Sequence, residues 1–167
     1  IFWGINRPWI NPDSQLIAAM RKELVCGKFR GNEEELQKIC YLANCYGRYI
    51  YRLSREEQEA IFEKEAERIF ENVKKSISDG GELLSISFGK ELGIVTLTGH
   101  CIDNLYIEGR YQRQGFGTEL LNYAFSYAGK GAYIDVPKKN DILLHVCEKI
   151  GLKEVKSPHE DYVRMMK

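Results

Sequence analysis

Gln112-Arg113-Gln114-Gly115-Phe116-Gly117-Thr118 lies between a run that reads as a strand, Cys101–Ile107, and one that reads as a helix, 118–128. A glycine-bearing turn in that position is suited to holding an anion. The first turn of a helix leaves backbone N–H groups without intrahelical partners and carries the positive end of the helix dipole. Glycine at 115 and 117 removes the Cβ atoms that would keep a pyrophosphate away from the main chain. Downstream, Leu120, Leu121, Ala124, Phe125 and Ala128 mark one helical face that ends at Gly129 and Gly131, and 132–136 reads as the next strand. So compact a strand, helix, strand succession implies a right-handed crossover and a locally parallel strand pair.

Upstream of the turn, 83–88, 92–97 and Cys101–Ile107 read as strands joined by Gly89-Lys90-Glu91 and Gly99-His100. Loops this short imply an antiparallel meander. Before them, Ser54-Arg55-Glu56-Glu57 is a capping box, and Ile61, Phe62, Ala66, Ile69, Phe70, Val73 and Ile77 form an apolar stripe that Asp79-Gly80-Gly81 breaks. The Glu and Lys residues of its other face read as solvation. Asn11-Pro12 reads as an N-cap and first helical residue, with Leu16, Ile17, Met20 and Leu24 at helical spacing until Gly27. Asn32 with Glu35 opens a second helix, Leu36, Ile39, Cys40 and Ala43 inward, with Gly47 as its stop. The tyrosine-rich 48–53 reads as a short strand. Beyond 136, Asn140 caps a helix over 141–150 that stops at Gly151, and 152–156 and 162–166 read as strands.

The expected architecture is a mixed α/β (α+β) sheet, mainly antiparallel, with flanking helices. A helical extension, 1–47, precedes the domain proper, 48–167. A chain of 167 residues with 44% apolar and 29% charged residues can build a sizeable core. Lys plus Arg equals Asp plus Glu at 24 each, so no global field would draw the chain to nucleic acid or an anionic membrane. The start, Ile1 to Ile10, carries Arg7 and Pro8 and is unlike a secretory signal, so the expected location is the cytoplasm. Cys26, Cys40, Cys45, Cys101 and Cys147 are scattered with no Cys-x-x-Cys, and His100, His145 and His159 lie far apart, so the cysteines read as reduced and no metal site is expected.

Asn104-Leu105-Tyr106-Ile107 followed by Gln112-Arg113-Gln114-Gly115-Phe116-Gly117-Thr118-Glu119-Leu120-Leu121 resembles the coenzyme A motif of the GNAT superfamily of acyl-CoA-dependent N-acyltransferases, Gln/Arg-x-x-Gly-x-Gly/Ala after the fourth strand. Asp135-Val136-Pro137-Lys138-Lys139-Asn140 and Glu148-Lys149-Ile150-Gly151-Leu152 resemble the fifth strand and following helix of that family. His159 to Met165 resembles its final strand, particularly in the ribosomal-protein alanine acetyltransferase branch. The likeness runs from about Ser54 to Lys167.

The resemblance implies direct acetyl transfer from acetyl-CoA, as co-substrate, to a primary amine: a protein or peptide N-terminus, a lysine or a small molecule. It implies that Gln112, Arg113, Gln114, Gly115, Phe116, Gly117 and Thr118 hold the pyrophosphate, and that Leu105, Tyr106, Ile107 and Asn140 complete the coenzyme site, with Lys138 or Lys139 near the phosphates. The pantetheine arm would enter where the fourth and fifth strands splay apart, and a backbone N–H near Tyr106 or Ile107 would stabilise the oxyanion. Asp135 stands where the alanine acetyltransferase branch has a Glu base; it would equally suit a salt bridge to Lys138 or Lys139, and Asp103, taken to share the face of Leu105 and Ile107, is the competing base. Cys147 occupies the position where many members place a Tyr acid, and is otherwise a packing residue, leaving Tyr106, Tyr111, His145 and solvent as alternative donors. For the residues before Gly47 three roles stay open: packing on the domain, closing the acceptor groove, or forming a homodimer contact. A non-catalytic acyl-CoA sensor or scaffold is the alternative function.

Overall fold

A computed structural model describes residues 14–45 and 54–167. The expected cap at Asn11-Pro12, the stop at Gly47 and the strand over 48–53 lie outside the described residues. The elements run α1 (Ser14–Arg21), β1 (Val25–Lys28), α2 (Glu33–Cys45), α3 (Arg55–Ser78), β2 (Glu82–Phe88), β3 (Lys90–Thr98), β4 (Cys101–Ile107), a 3-10 turn (Gly109–Tyr111), α4 (Phe116–Ala128), β5 (Tyr133–Pro137), α5 (Asp141–Lys149), β6 (Lys153–Val155) and β7 (Tyr162–Met166). They build a seven-stranded sheet in the order β1-β2-β3-β4-β5-β7-β6, antiparallel throughout except for the β4–β5 pair. This is the mixed, mainly antiparallel sheet that the sequence implies.

Local chemistry explains the helices that sequence reading places well. Ser54 accepts from the Glu57 N–H at 3.2 Å while the Glu57 carboxylate accepts from the Ser54 N–H at 3.3 Å. Asn32 and Glu35 repeat the same exchange ahead of α2. Each box satisfies two donors that a helix start otherwise leaves to water. The α3 stripe is narrower than expected, because Ile61 and Ile77 are each 41% exposed whereas Phe62, Ala66, Ile69, Phe70 and Val73 are buried.

One segment departs from its expected state. Helical spacing carries α1 to Gly27 on paper, yet the helix ends at Arg21, Lys22 and Glu23 form a turn, and Val25–Lys28 pairs antiparallel with residues 84–87 of β2. A strand of four residues is too short to display a period, and what decides its state is the unpaired edge of β2.

The sheet separates two cores. On one face α1, α4 and α5 contribute Ile17, Met20, Phe116, Leu120, Leu121, Ala124, Phe125 and Cys147 to a cluster with Leu84, Ile86, Ile102, Ile107, Ile134 and Val136. On the other, Leu36, Ile39 and Cys40 of α2 meet Phe62, Ile69, Phe70 and Val73 of α3 over Ile94. No helix of the described residues is long and apolar enough to cross a membrane.

Candidate active site

Strands β4 and β5 are paired only at Cys101–Tyr133 and Ile102–Ile134. Beyond that point β5 continues with β7 as far as Pro137–Tyr162, and β4 continues with β3 as far as Ile107–Gly93. The two central strands therefore part company at their carboxyl ends, opening a gap in the sheet. A β-bulge contributes: between Thr96–Asp103 and Ile94–Tyr106 the ladder takes two steps on β3 and three on β4, with Asn104 at φ 53°. Asn tolerates this left-handed conformation better than most residues. Its buried amide is held by Nδ2 donating to Thr96 Oγ1 at 3.0 Å and Ser76 Oγ at 3.2 Å.

The bulge redistributes side chains between the faces. Leu105 and Ile107 pack with the α4 core, whereas Tyr106 packs against the α2–α3 core. Asp103 does not share the face of Leu105 and Ile107, contrary to strict alternation. It lies on the Cys101 and Tyr106 side, where its charge raises the pKa of both groups, in each case after the larger effect of burial. One extra residue between positions 103 and 106 is enough to reverse the relation.

Backbone direction singles out one amide at the gap. The Glu108 N–H donates to the Leu92 carbonyl at 2.8 Å, and Tyr106 stands opposite Ile94 in the same ladder. Donors alternate between the two sides of an antiparallel strand, so the Tyr106 N–H belongs to β3 and the Ile107 N–H points away from it, toward the space β5 has vacated. The Ile107 carbonyl accepts from Gln112 Nε2 at 2.9 Å, and the same amide nitrogen donates to the Ala43 carbonyl at 3.1 Å. Gln112 thereby ties the end of β4 to the last turns of α2.

The glycine turn follows directly. Arg113 at φ 62° and Gly115 at φ 89° are both left-handed, and alternation of hand curls successive N–H groups into one concavity. Gly115 is the N-cap of α4, and the Glu119 N–H makes a first intrahelical bond to its carbonyl at 3.0 Å. The N–H groups of Phe116, Gly117 and Thr118 precede that bond and have no carbonyl four residues back in the helix to meet. The helix begins at Phe116, two residues earlier than the sequence suggests, so Gly117 stands inside its first turn. The Tyr111 ring packs, tilted by 32°, at 5.9 Å from that of Phe116, which is wholly buried and fixes the turn to the core. Asn140 caps α5, its Oδ1 accepting from the Leu143 N–H at 3.1 Å.

Of the candidate proton carriers, Asp135 has an ion-pair partner, and it is neither Lys138 nor Lys139. Arg164, opposite it on β7, donates from Nε to Oδ1 at 2.8 Å and from an Nη to Oδ2 at 2.9 Å. The same guanidinium lies 3.9 Å over the Tyr133 ring. Asp103, Cys101, Tyr133, Asp135 and Arg164 form one polar group on the face of the sheet opposite α4, with Asp103 exposed and its Oδ1 accepting from its neighbour's N–H at 2.7 Å.

Cys147 sits within the α4-side core with no exposed surface, and burial, aided by the Glu148 charge, pushes its thiol up to about 11. Cys40, equally enclosed, is pushed up by burial to about 12. The native pKa values exceed the unfolded ones, so the neutral thiols stabilise the fold fully below about pH 9, and that contribution is lost as pH rises through 11 to 12. Cys147→Ala and Cys40→Ala are each expected to flatten the decline of denaturation midpoint above pH 9. In the parent, a thiol reagent is expected to label the half-buried Cys26 and Cys101 well before Cys40 and Cys147. Native labelling of Cys147 as fast as Cys101 would rule out a packing role for this thiol.

The splayed parallel pair, the Ile107 amide aimed into the gap and the backbone concavity at the start of α4 together have the layout that an acyl-CoA-dependent acyltransferase requires. A model of the acetyltransferase (GNAT) family matches residues 36–152, and the chain belongs to that family. A search of curated proteins finds no match. Among solved structures, spermidine N-acetyltransferase from Vibrio cholerae in complex with CoA and spermine is 19% identical, covers 86% of this chain and 94% of its own, and superposes with a TM-score of 0.53. A mutant form of the same organism's SpeG spermidine N-acetyltransferase is 20% identical over 86% of this chain and 92% of its own, at 0.55. Apo-form YjaB from Escherichia coli is 18% identical over 85% and 94%, at 0.51. These likenesses establish the fold. As a family member the protein is an acetyl-CoA-dependent transferase that delivers the acetyl group to an amine.

Proposed function

We propose that the acceptor is a primary amine that reaches the thioester across the open polar face beside β5 and β7. The divergence of β4 and β5 with the Ile107 N–H aimed into the gap is the observation that carries this reading. In it, the pyrophosphate lies on the N–H groups of residues 113–118, and Leu105 and Ile107 flank the pantetheine arm. The amine nitrogen attacks the thioester carbon; the C–N bond forms, the carbonyl oxygen takes up negative charge beside the Ile107 N–H, and the C–S bond then breaks. Holding both reactants in line supplies much of the rate without a covalent enzyme intermediate.

The amine must lose a proton, and Asp135 and Asp103 are carboxylates on the two strands that border the gap. Asp135 has the better-defined position, since Arg164 fixes both of its oxygens, and a water between carboxylate and amine completes the path. The departing thiolate takes a proton from solvent or from His145 on the exposed side of α5, because the Cys147 thiol is enclosed by core residues.

Only residues 156–161 connect β6 to β7, which leaves this side of the site uncovered by a long loop and suits a protein or peptide N-terminus, a lysine or a bulky small amine. The test is release of CoA thiol from acetyl-CoA with a panel spanning N-terminal peptides, lysine peptides, polyamines and aminoglycosides. At least one class is expected to accelerate release well above hydrolysis. Tight acetyl-CoA binding with no amine-dependent release would instead favour a sensor or scaffold role, which the full engagement of Asp135 by Arg164 would then explain.

A further inference from the structure

We infer that Arg21, the last residue of α1, is a coenzyme-binding residue that clamps the pyrophosphate against the glycine turn. The inference rests on the coenzyme placement proposed above. Arg21 lies ahead of the stretch that matches the acetyltransferase family, 36–152, so no family motif includes it. The α1 helix is anchored by Ile17 and Met20, both buried in the α4-side core, which fixes the root of the Arg21 side chain. Its guanidinium reaches across the start of α4: a Cβ built on Gly115 would stand 2.8 Å from Nη2, and Cζ is 5.8 Å from the centroid of the Phe116 ring.

The last turn of α1 and the Phe116 ring both favour a cation here, but its tip lies over the start of α4, where an anion is the missing complement. The first turn of a helix carries partial positive charge, which repels a guanidinium. The carboxylate that could offset this, Glu119 Oε1, is 3.8 Å from Nη1, beyond hydrogen-bond length, and both side chains are more than 40% exposed. A diphosphate seated on the N–H groups of residues 116–118 would meet the guanidinium fork on its other side. It would replace one long, solvated ion pair with short charge-assisted bonds. Glycine at 115 matters twice in this arrangement. It supplies φ 89°, and it leaves the space in which the Arg21 tip lies.

The test compares acetyl-CoA, dephospho-CoA and S-acetyl-pantetheine, which carries no phosphate, on the parent, Arg21→Ala, Arg21→Lys and Gly117→Asp. Arg21→Ala is expected to weaken acetyl-CoA and dephospho-CoA binding alike, by about 10- to 100-fold, the range for charge-assisted hydrogen bonds. The kcat/KM for S-acetyl-pantetheine should stay at the parental value. Arg21→Lys should recover part of the affinity. Without coenzyme the melting temperature of Arg21→Ala should stay close to the parent's, since removing a cation from the start of α4 is offset by removing it from the last turn of α1. Unchanged acetyl-CoA affinity in Arg21→Ala, alongside lost affinity in Gly117→Asp, would overturn the Arg21 assignment and leave the turn as the coenzyme site. Parental affinity in Gly117→Asp would overturn the placement beneath it. A loss that disappears with dephospho-CoA, or extends equally to S-acetyl-pantetheine, would also overturn the pyrophosphate contact.

Discussion

Acetyl-CoA binding falls by about 10²- to 10³-fold in Gly117→Asp, because the substitution removes access to two or three main-chain donors and sets a carboxylate beside a diphosphate. The position is a clean probe. A Cβ at 117 meets only the Ile107 side chain, at 3.5 Å, which is ordinary contact, so the folded protein accommodates the change. An acidic residue near a helix N-terminus even interacts favourably with the dipole when no ligand is present. The apo melting temperature should therefore be close to parental while the coenzyme-induced rise in melting temperature is lost. Gly115 would be the wrong choice, since its φ of 89° strains any side chain and its Cβ would press on Arg21. Calorimetry of acetyl-CoA against parent and Gly117→Asp decides the matter: equal affinities would place the pyrophosphate elsewhere.

The difference between what the sequence discloses and what it conceals follows the range of the interactions. The α3 helix is legible because its capping box spans residues 54–57 and its buried stripe repeats within each turn. The turn at 112–118 is legible for the same reason, as its glycines, its flanking strand and its following helix are neighbours in the chain. Strand β1 is concealed, because its state depends on an edge of β2 about 60 residues away, and the helical spacing of Leu16, Ile17, Met20 and Leu24 continues by accident past the true end of α1.

The site shows the same division. The bulge at Asn104 decides that Leu105 and Ile107 leave the face of Asp103, and the only sign of it in the sequence is an Asn within a strand, a residue type that strands disfavour. The Asp135–Arg164 pair needs the β5–β7 register before the two residues, 29 apart, can be set opposite each other, and nearby Lys138 and Lys139 are more obvious partners in a linear reading. Arg21 had no signal at all. It lies outside every motif, and only the packing of Ile17 and Met20 brings it over the glycine turn.

Asp135→Asn is expected to lower turnover by about 10²- to 10⁴-fold, the range for loss of a general base, while acetyl-CoA affinity stays near parental. The substitution keeps volume and one acceptor oxygen, but it removes the charge that faces Arg164 on β7. Both side chains of the pair are roughly a fifth exposed, so loss of stability accompanies the change and must be separated from loss of chemistry. Arg164→Met makes that separation. It breaks the same ion pair yet leaves the carboxylate at 135, so a purely structural role predicts that both variants lose stability and neither loses rate. A base role predicts that Arg164→Met remains active while Asp135→Asn does not, because only the latter removes the proton acceptor. If Asp135→Asn kept parental turnover, the proton would have to leave through Asp103, which lies on the same open face beside Cys101, and Asp103→Asn would then carry the loss instead.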